Sequence, residues 1–156
     1  MNSRRKKPLK MILPNKLLLS RAVEAVQQGG VAKIPVLGQS MDPFICGKRD
    51  CVELYPPQDV VVGDVVLAKV TAEQYLLHRI FRFEGREGVI LMGDGNVTNQ
   101  ERCFRSDIKA KAQIIIKEDG RRIDLTSKSM MWAAKIWRWL LPCRCILLRI
   151  YRKFLR

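Results

Sequence analysis

The chain holds a single histidine, His78, among 156 residues. A zinc site of mixed Cys/His type is therefore not expected, because such sites draw several ligands from short, regular spacings. The cysteines do not supply a framework either. Their number is odd, five, and Cys143-x-Cys145 is too tight for the usual zinc pair. Scattered thiols fit a reducing, cytosolic compartment better than a secreted disulfide scaffold. The spacing of Cys46 and Cys51 permits a bridge without establishing one. Long apolar runs are missing too: no stretch of about 20 uncharged apolar residues occurs, so no ordinary transmembrane helix is expected. The basic start, Met1 to Lys10, has the charge of a signal-peptide n-region. Pro14, Asn15 and Lys16 break the apolar segment after it, so an export signal is not expected. Acidic residues are scarce as well. Fifteen oppose 29 Lys and Arg, for a net charge of +14. That excess points to an anionic partner, nucleic acid or an anionic membrane surface.

What is present is a globular composition, 47% hydrophobic and 28% charged, enough for one domain with its own core. Residues 1–13 read as a basic flexible arm, 14–128 as a domain, and 129–156 as a separate tail. Within the domain, Leu17, Leu18, Ala22 and Val26 recur at helical spacing, and Gly29-Gly30 closes a short helix over 14–28. A β core over 31–126 follows. Short apolar runs at Val31–Leu37, Cys51–Tyr55, Val65–Val70, Gln74–Phe83, Val89–Met92, Ile108–Ile116 and Arg121–Leu125 are separated by turns such as Gly63-Asp64 and Asp119-Gly120. Strands so closely spaced, with no helix between them, predict a mainly β, largely antiparallel architecture.

Chemistry enters at Gly38-Gln39-Ser40-Met41-Asp42-Pro43. A glycine at a strand end lets the chain bend and expose the serine hydroxyl, and Pro43 fixes the exit. Serine is a weak nucleophile until a base lies within hydrogen-bond reach. His78, in the longest β run, is the natural base, since imidazole titrates near neutrality. An acid that accepts from the second imidazole nitrogen would fix its tautomer. Asp94, in Gly93-Asp94-Gly95-Asn96, is the favoured acid. Asp64 is a weaker candidate, and Lys69 is a lesser candidate base.

These boxes, in this order, resemble those of the signal peptidase I family and its relatives, the LexA-like self-cleaving repressors. The likeness spans roughly residues 34–116 and rests on the Ser-Met box at Ser40, Gly63-Asp64-Val65-Val66, His78-Arg79-Ile80 and the Gly93-Asp94-Gly95-Asn96 turn. It implies a compact signal-peptidase/LexA-like β domain and a serine endopeptidase without cofactor or metal. Ser40 would be the nucleophile, His78 the general base and Asp94 the orienting acid. Bacterial signal peptidases and the repressors carry a lysine where His78 stands; His-Arg is similar to the archaeal and endoplasmic-reticulum branch. The family's substrates are extended signal-like or leader-like peptides with small side chains before the cut. Two departures stand out: an N-terminal membrane anchor is not expected here, and Gly38 replaces a hydroxyl residue that often helps the oxyanion hole. Other readings are a catalytically inactive fold serving as a membrane- or nucleic-acid-binding module, and a self-cleaving regulator. The latter lacks room for a DNA-reading domain and an upstream Ala-Gly pair.

No acid follows Asp124. From 129 to 156, Lys135, Arg138, Arg149, Arg152 and Arg156 fall along one helical face, with Ile136, Leu140, Cys143, Leu147, Ile150 and Phe154 broadly opposite. This predicts a basic amphipathic helix, kinked or split at Pro142. With Trp132, Trp137 and Trp139, it would suit peripheral contact with an anionic membrane, on the inner face of the cytoplasmic membrane. A nucleic-acid role is not favoured, because no reader motif is present.

Overall fold

The computed structural model of the chain describes residues 15–72 and 74–154. The arm expected over 1–13 lies outside these residues, as does Arg156. The first helix, α1, runs Asn15–Gln27. Past its end, the Gly29 N–H donates to Val26 O and the Gly30 N–H to Ala25 O, both at 2.9 Å. This pair of bonds puts Gly29 at φ +83°, a conformation that glycine adopts without steric cost.

Eight strands follow: β1 (Ala32–Pro35), β2 (Cys51–Tyr55), β3 (Val65–Lys69), β4 (Tyr75–Glu84), β5 (Gly88–Met92), β6 (Glu101–Phe104), β7 (Ile108–Ile116) and β8 (Arg122–Asp124). They form one curled sheet in the order β1-β2-β7-β3-β4-β5-β6, with β8 added to β7. Every pairing is antiparallel. The mainly β expectation is met. One strand, β6, was not legible: of its four residues only Cys103 is buried, so it carries almost no apolar pattern.

The two faces of the sheet bury different sets. On one, Ala22, Val23 and Val26 of α1 pack with Ile34, Val52, Leu54, Leu67, Ala112 and Ile115. On the other, Val66, Ala68, Ile80, Val89, Leu91 and Cys103 cluster. Alternation along β3 feeds both, which is why all of Val65–Ala68 is buried.

Two helices end the described chain: α2 (Lys128–Trp139) and α3 (Arg144–Phe154), joined by a turn of 3-10 helix at Leu141–Cys143. The split expected at Pro142 is therefore present. The expected division of faces is met in part. Lys135, Arg138, Arg149 and Arg152 are exposed, as expected, but so are Ile136, Ile150 and Phe154, while Arg144 is buried. Arg138 and Arg152 donate to Phe81 O and Gly95 O, because a backbone carbonyl is a better partner for a guanidinium group than for a methyl group. Among the described residues, no helix is long and apolar enough to cross a membrane. All five cysteines are free thiols, so Cys46 and Cys51 are not bridged.

Between β1 and β2 the chain makes the excursion that carries Ser40. Its base is pinned by Val36 N–H to Asp50 O at 3.0 Å and Lys48 N–H to Val36 O at 2.6 Å. A Cβ on Gly47 would lie 1.9 Å from Gly38 O. Gly47→Ala should therefore force the Gly38 turn outward and lower stability by about 1–3 kcal/mol; urea denaturation measures this, and an unchanged midpoint would contradict the close approach.

Candidate active site

The serine loop is held from below by apolar anchors. Met41 and Ile45 are buried, at 1% and 0% exposure, while Ser40 stays half-buried at the surface. Burying two such side chains contributes on the order of 1.5–3 kcal/mol each. The far end is fixed by Lys117 on β7, whose Nζ donates to Phe44 O at 2.9 Å and meets Asp50 Oδ2 at 2.7 Å.

From the other side the Gly93–Asn96 turn closes over the same loop. The Gly95 N–H donates to Ser40 O at 2.7 Å. A Cβ on Gly93 would come within 2.3 Å of Ser40 O, and one on Gly95 within 2.6 Å of Gln39 O. The glycines on either side of Asp94 are thus there for close approach of two backbones.

His78 stands on β4, buried, opposite Val66 of β3. Its Nδ1 lies 2.8 Å from Glu101 Oε2. An ionised carboxylate can only accept, so Nδ1 carries the proton and Nε2 is left as the acceptor nitrogen. That is the tautomer a general base requires.

The assignment of Asp94 as the acid facing His78 is therefore corrected. Asp94 Oδ1 accepts from Arg79 Nε at 2.8 Å and Oδ2 from Arg79 Nη2 at 2.6 Å. The physical reason is the pleat. His78 and Arg79 are neighbours on one strand and project to opposite faces, so an acid clamped to Arg79 is on the wrong side for the imidazole. Arg79 completes its bonding by donating Nη1 to Gly63 O at 2.6 Å. Asp64 is engaged elsewhere, in an ion pair with Lys111 at 2.7 Å and as acceptor for the Val61 N–H at 2.9 Å. Lys69 pairs with Tyr75 at the end of β3, three positions from Val66, and is not among the residues that line the cleft of Ser40 and His78.

Sequence reasoning missed Glu101 because it opens β6, the strand without an apolar pattern. The one signal available was the alternation in Glu101-Arg102-Cys103-Phe104, which is short. Register brings it into place: Glu101 pairs with Leu91, Leu91 pairs with Ile80, and His78 lies two residues back along β4.

Ser40 and His78 line one cleft of about 350 Å³, walled by Leu19, Ile34, Val36, Leu37, Leu67, Tyr75 and Leu77. Among the described residues no hydrogen bond joins the Ser40 hydroxyl to the imidazole. A hydroxyl, a neutral imidazole and a carboxylate in this order are the parts that acyl transfer needs. Cys103, the nearest thiol in sequence to Glu101, is no competing nucleophile; burial pushes its pKa up to about 11 and keeps it protonated. No family model matches the chain, and no curated protein matches it.

The two acids should respond differently to removal. Asp94→Ala leaves the buried Arg79 without its carboxylate and should lower stability by about 3–5 kcal/mol. Glu101→Ala leaves a buried imidazole N–H without its acceptor and should lower stability by a smaller amount, about 1–3 kcal/mol, yet shift the ¹⁵N resonances of His78 toward mixed tautomers. A His78 signal that moves in Asp94→Ala at native temperature and not in Glu101→Ala would reverse the assignment.

Proposed function

We propose that the chain is a serine endopeptidase of the signal-peptidase-like class, with a LexA-like β domain, cutting an extended signal-like or leader-like peptide. Ser40 Oγ attacks the carbonyl carbon of the scissile peptide. His78 Nε2 takes the hydroxyl proton and returns it to the leaving amine, and Glu101 holds Nδ1 and stabilises the imidazolium. The observation that carries this reading is the pairing of Ser40 with His78 in one cleft while the other imidazole nitrogen is tied to Glu101.

Two further features support it. Among the described residues the Ser40 N–H donates to no other group, so it is available to an oxyanion formed beside its own hydroxyl. The cleft is also bordered by two strand edges that are open among the described residues: there β1 pairs only with β2, and residues 75–78 of β4 only with β3. A peptide laid between them would gain main-chain hydrogen bonds, and its alternate side chains would enter the apolar cleft. With Gly38 two places before the serine, the oxyanion hole would be built from backbone alone.

The test is covalent capture followed by turnover. A fluorophosphonate probe should label the intact chain at Ser40, and neither Ser40→Ala nor His78→Ala should be labelled. With a cleavable peptide in hand, Ser40→Ala should lose several powers of ten in kcat. Full labelling of the His78→Ala protein, or turnover unchanged in Ser40→Ala, would remove the residue concerned from the mechanism and favour a binding module instead.

A further inference from the structure

The two C-terminal helices are tied to the domain by hydrogen bonds from arginine and tryptophan side chains to backbone carbonyls. Arg144 is 3% exposed, donating Nη1 to Asn96 O at 3.1 Å and Nη2 to Trp137 O at 2.9 Å. The Trp137 indole N–H donates to Asp94 O at 3.0 Å, and Arg152 reaches Gly95 O at 3.3 Å. Ala134 and Leu148 are buried beside them. The pair is thus bonded onto the turn that clasps the Ser40 loop, and its orientation is fixed by polar contacts.

That orientation leaves large apolar side chains outside. Trp132, Ile136, Trp139, Ile146, Ile150 and Phe154 are all exposed, Trp139 at 86% and Phe154 at 70%. On α2, Trp132, Lys135, Ile136 and Trp139 share one stripe by helical spacing; on α3, Ile146, Arg149, Ile150 and Lys153 share another. Cations are interleaved with the apolar groups on both, and the Lys135 ammonium lies 5.0 Å from the Trp132 ring centre. No acid follows Asp124 anywhere in the chain.

We infer that α2 and α3 form a docking surface for an anionic lipid bilayer, holding the domain at the membrane without spanning it. Charge complementarity selects this occupant. The buried centre of a protein–protein interface is depleted in lysine, because burying an ammonium without a counter-charge is costly. A headgroup layer accepts both components at once: aromatic and aliphatic side chains enter the acyl boundary, and cations stay among phosphates. The surface is independent of whether Ser40 is catalytic.

The test uses the full chain carrying Ser40→Ala, so that no turnover intervenes. Flotation is measured with vesicles of phosphatidylglycerol and phosphatidylcholine against phosphatidylcholine alone, with sedimentation in the absence of lipid. Co-flotation with the anionic vesicles at low salt and release at high salt are expected, with a blue shift of tryptophan emission. Lys135→Glu/Arg149→Glu/Lys153→Glu should weaken binding by about a hundredfold or more, and Trp139→Ser/Phe154→Ser should abolish the blue shift, both with unchanged circular dichroism. Three results would overturn the inference: no flotation, equal flotation of the charge-reversed protein, or a lipid-independent dimer that Trp139→Ser/Phe154→Ser converts to monomer while flotation persists.

Discussion

The buried ion pair between Arg79 and Asp94 is the constraint on which the functional end of the molecule is built. Both partners are nearly inaccessible, with side chains 9% and 3% exposed. A charge taken so far from water is tolerated only with complete compensation, and here both carboxylate oxygens accept from one guanidinium fork. The geometry leaves Asp94 little freedom. With its side chain fixed, its backbone and the two flanking glycines are fixed too, and these press on Gln39 and Ser40. A strand residue, Arg79, therefore determines the height of a loop serine to which it has no bond.

The same turn receives the end of the chain. Trp137, Arg144 and Arg152 contact Asp94 O, Asn96 O and Gly95 O respectively. Without these donors the three carbonyls would need water. Phe44, four residues past Ser40, meets the Trp137 ring edge-on at 5.9 Å and the Arg79 guanidinium at 5.2 Å. Serine loop, ion pair and C-terminal helices thus share side chains, and the effects of mutations among them should not add. The Arg144 guanidinium has its pKa lowered by burial and held up by the Asp94 carboxylate. Its compensation comes from the very charge that Arg79 also uses.

Much of this was legible in the residues, for reasons that are local. Alternating apolar runs bounded by glycine turns give strands whatever the rest of the chain does, so β2 and β7 stand where the pattern puts them. The glycine pair after α1 and the Asp119-Gly120 turn act within a few bonds. Ser40 and His78 were singled out by a hydroxyl on a strand-end turn and a lone imidazole on a strand, and both line one cleft. What failed was long-range. Glu101 meets His78 only through the register of three strands, one of which has a single buried residue. Asp94 was misread because a glycine–acid–glycine turn has two uses, and sequence does not distinguish a carboxylate aimed at imidazole from one held by the next residue along. The burial of Arg144 beside an exposed Ile136, Ile150 and Phe154 has the same origin: helical spacing defines two faces, but the carbonyls that hold Arg144 and Arg152 belong to a turn 48 and 57 residues earlier.

Separate anchoring of base and nucleophile has a mechanistic consequence under the proposed reading. His78 belongs to the sheet, locked by β3 on one side and by Glu101 on the other. Ser40 belongs to a loop positioned by Met41, Ile45 and the Gly93–Gly95 clasp. A short link between the two supports runs through Arg79, which follows His78 on β4 and, through Asp94, holds the clasp. One covalent step of strand and one ion pair make that path stiff, and Lys117 of β7 ties the far end of the loop to the same sheet. In the free protein the hydroxyl and imidazole share the cleft without a bond, as is common before substrate binds. An extended peptide seated between the open edges of β1 and β4 would displace water from both groups and raise the strength of any hydrogen bond between them. Substrate would then complete the catalytic pair by drying it, with little movement of either support. The reactive hydroxyl would be activated chiefly when a peptide fills the cleft, which is the behaviour that spares a peptidase its own exposed loops.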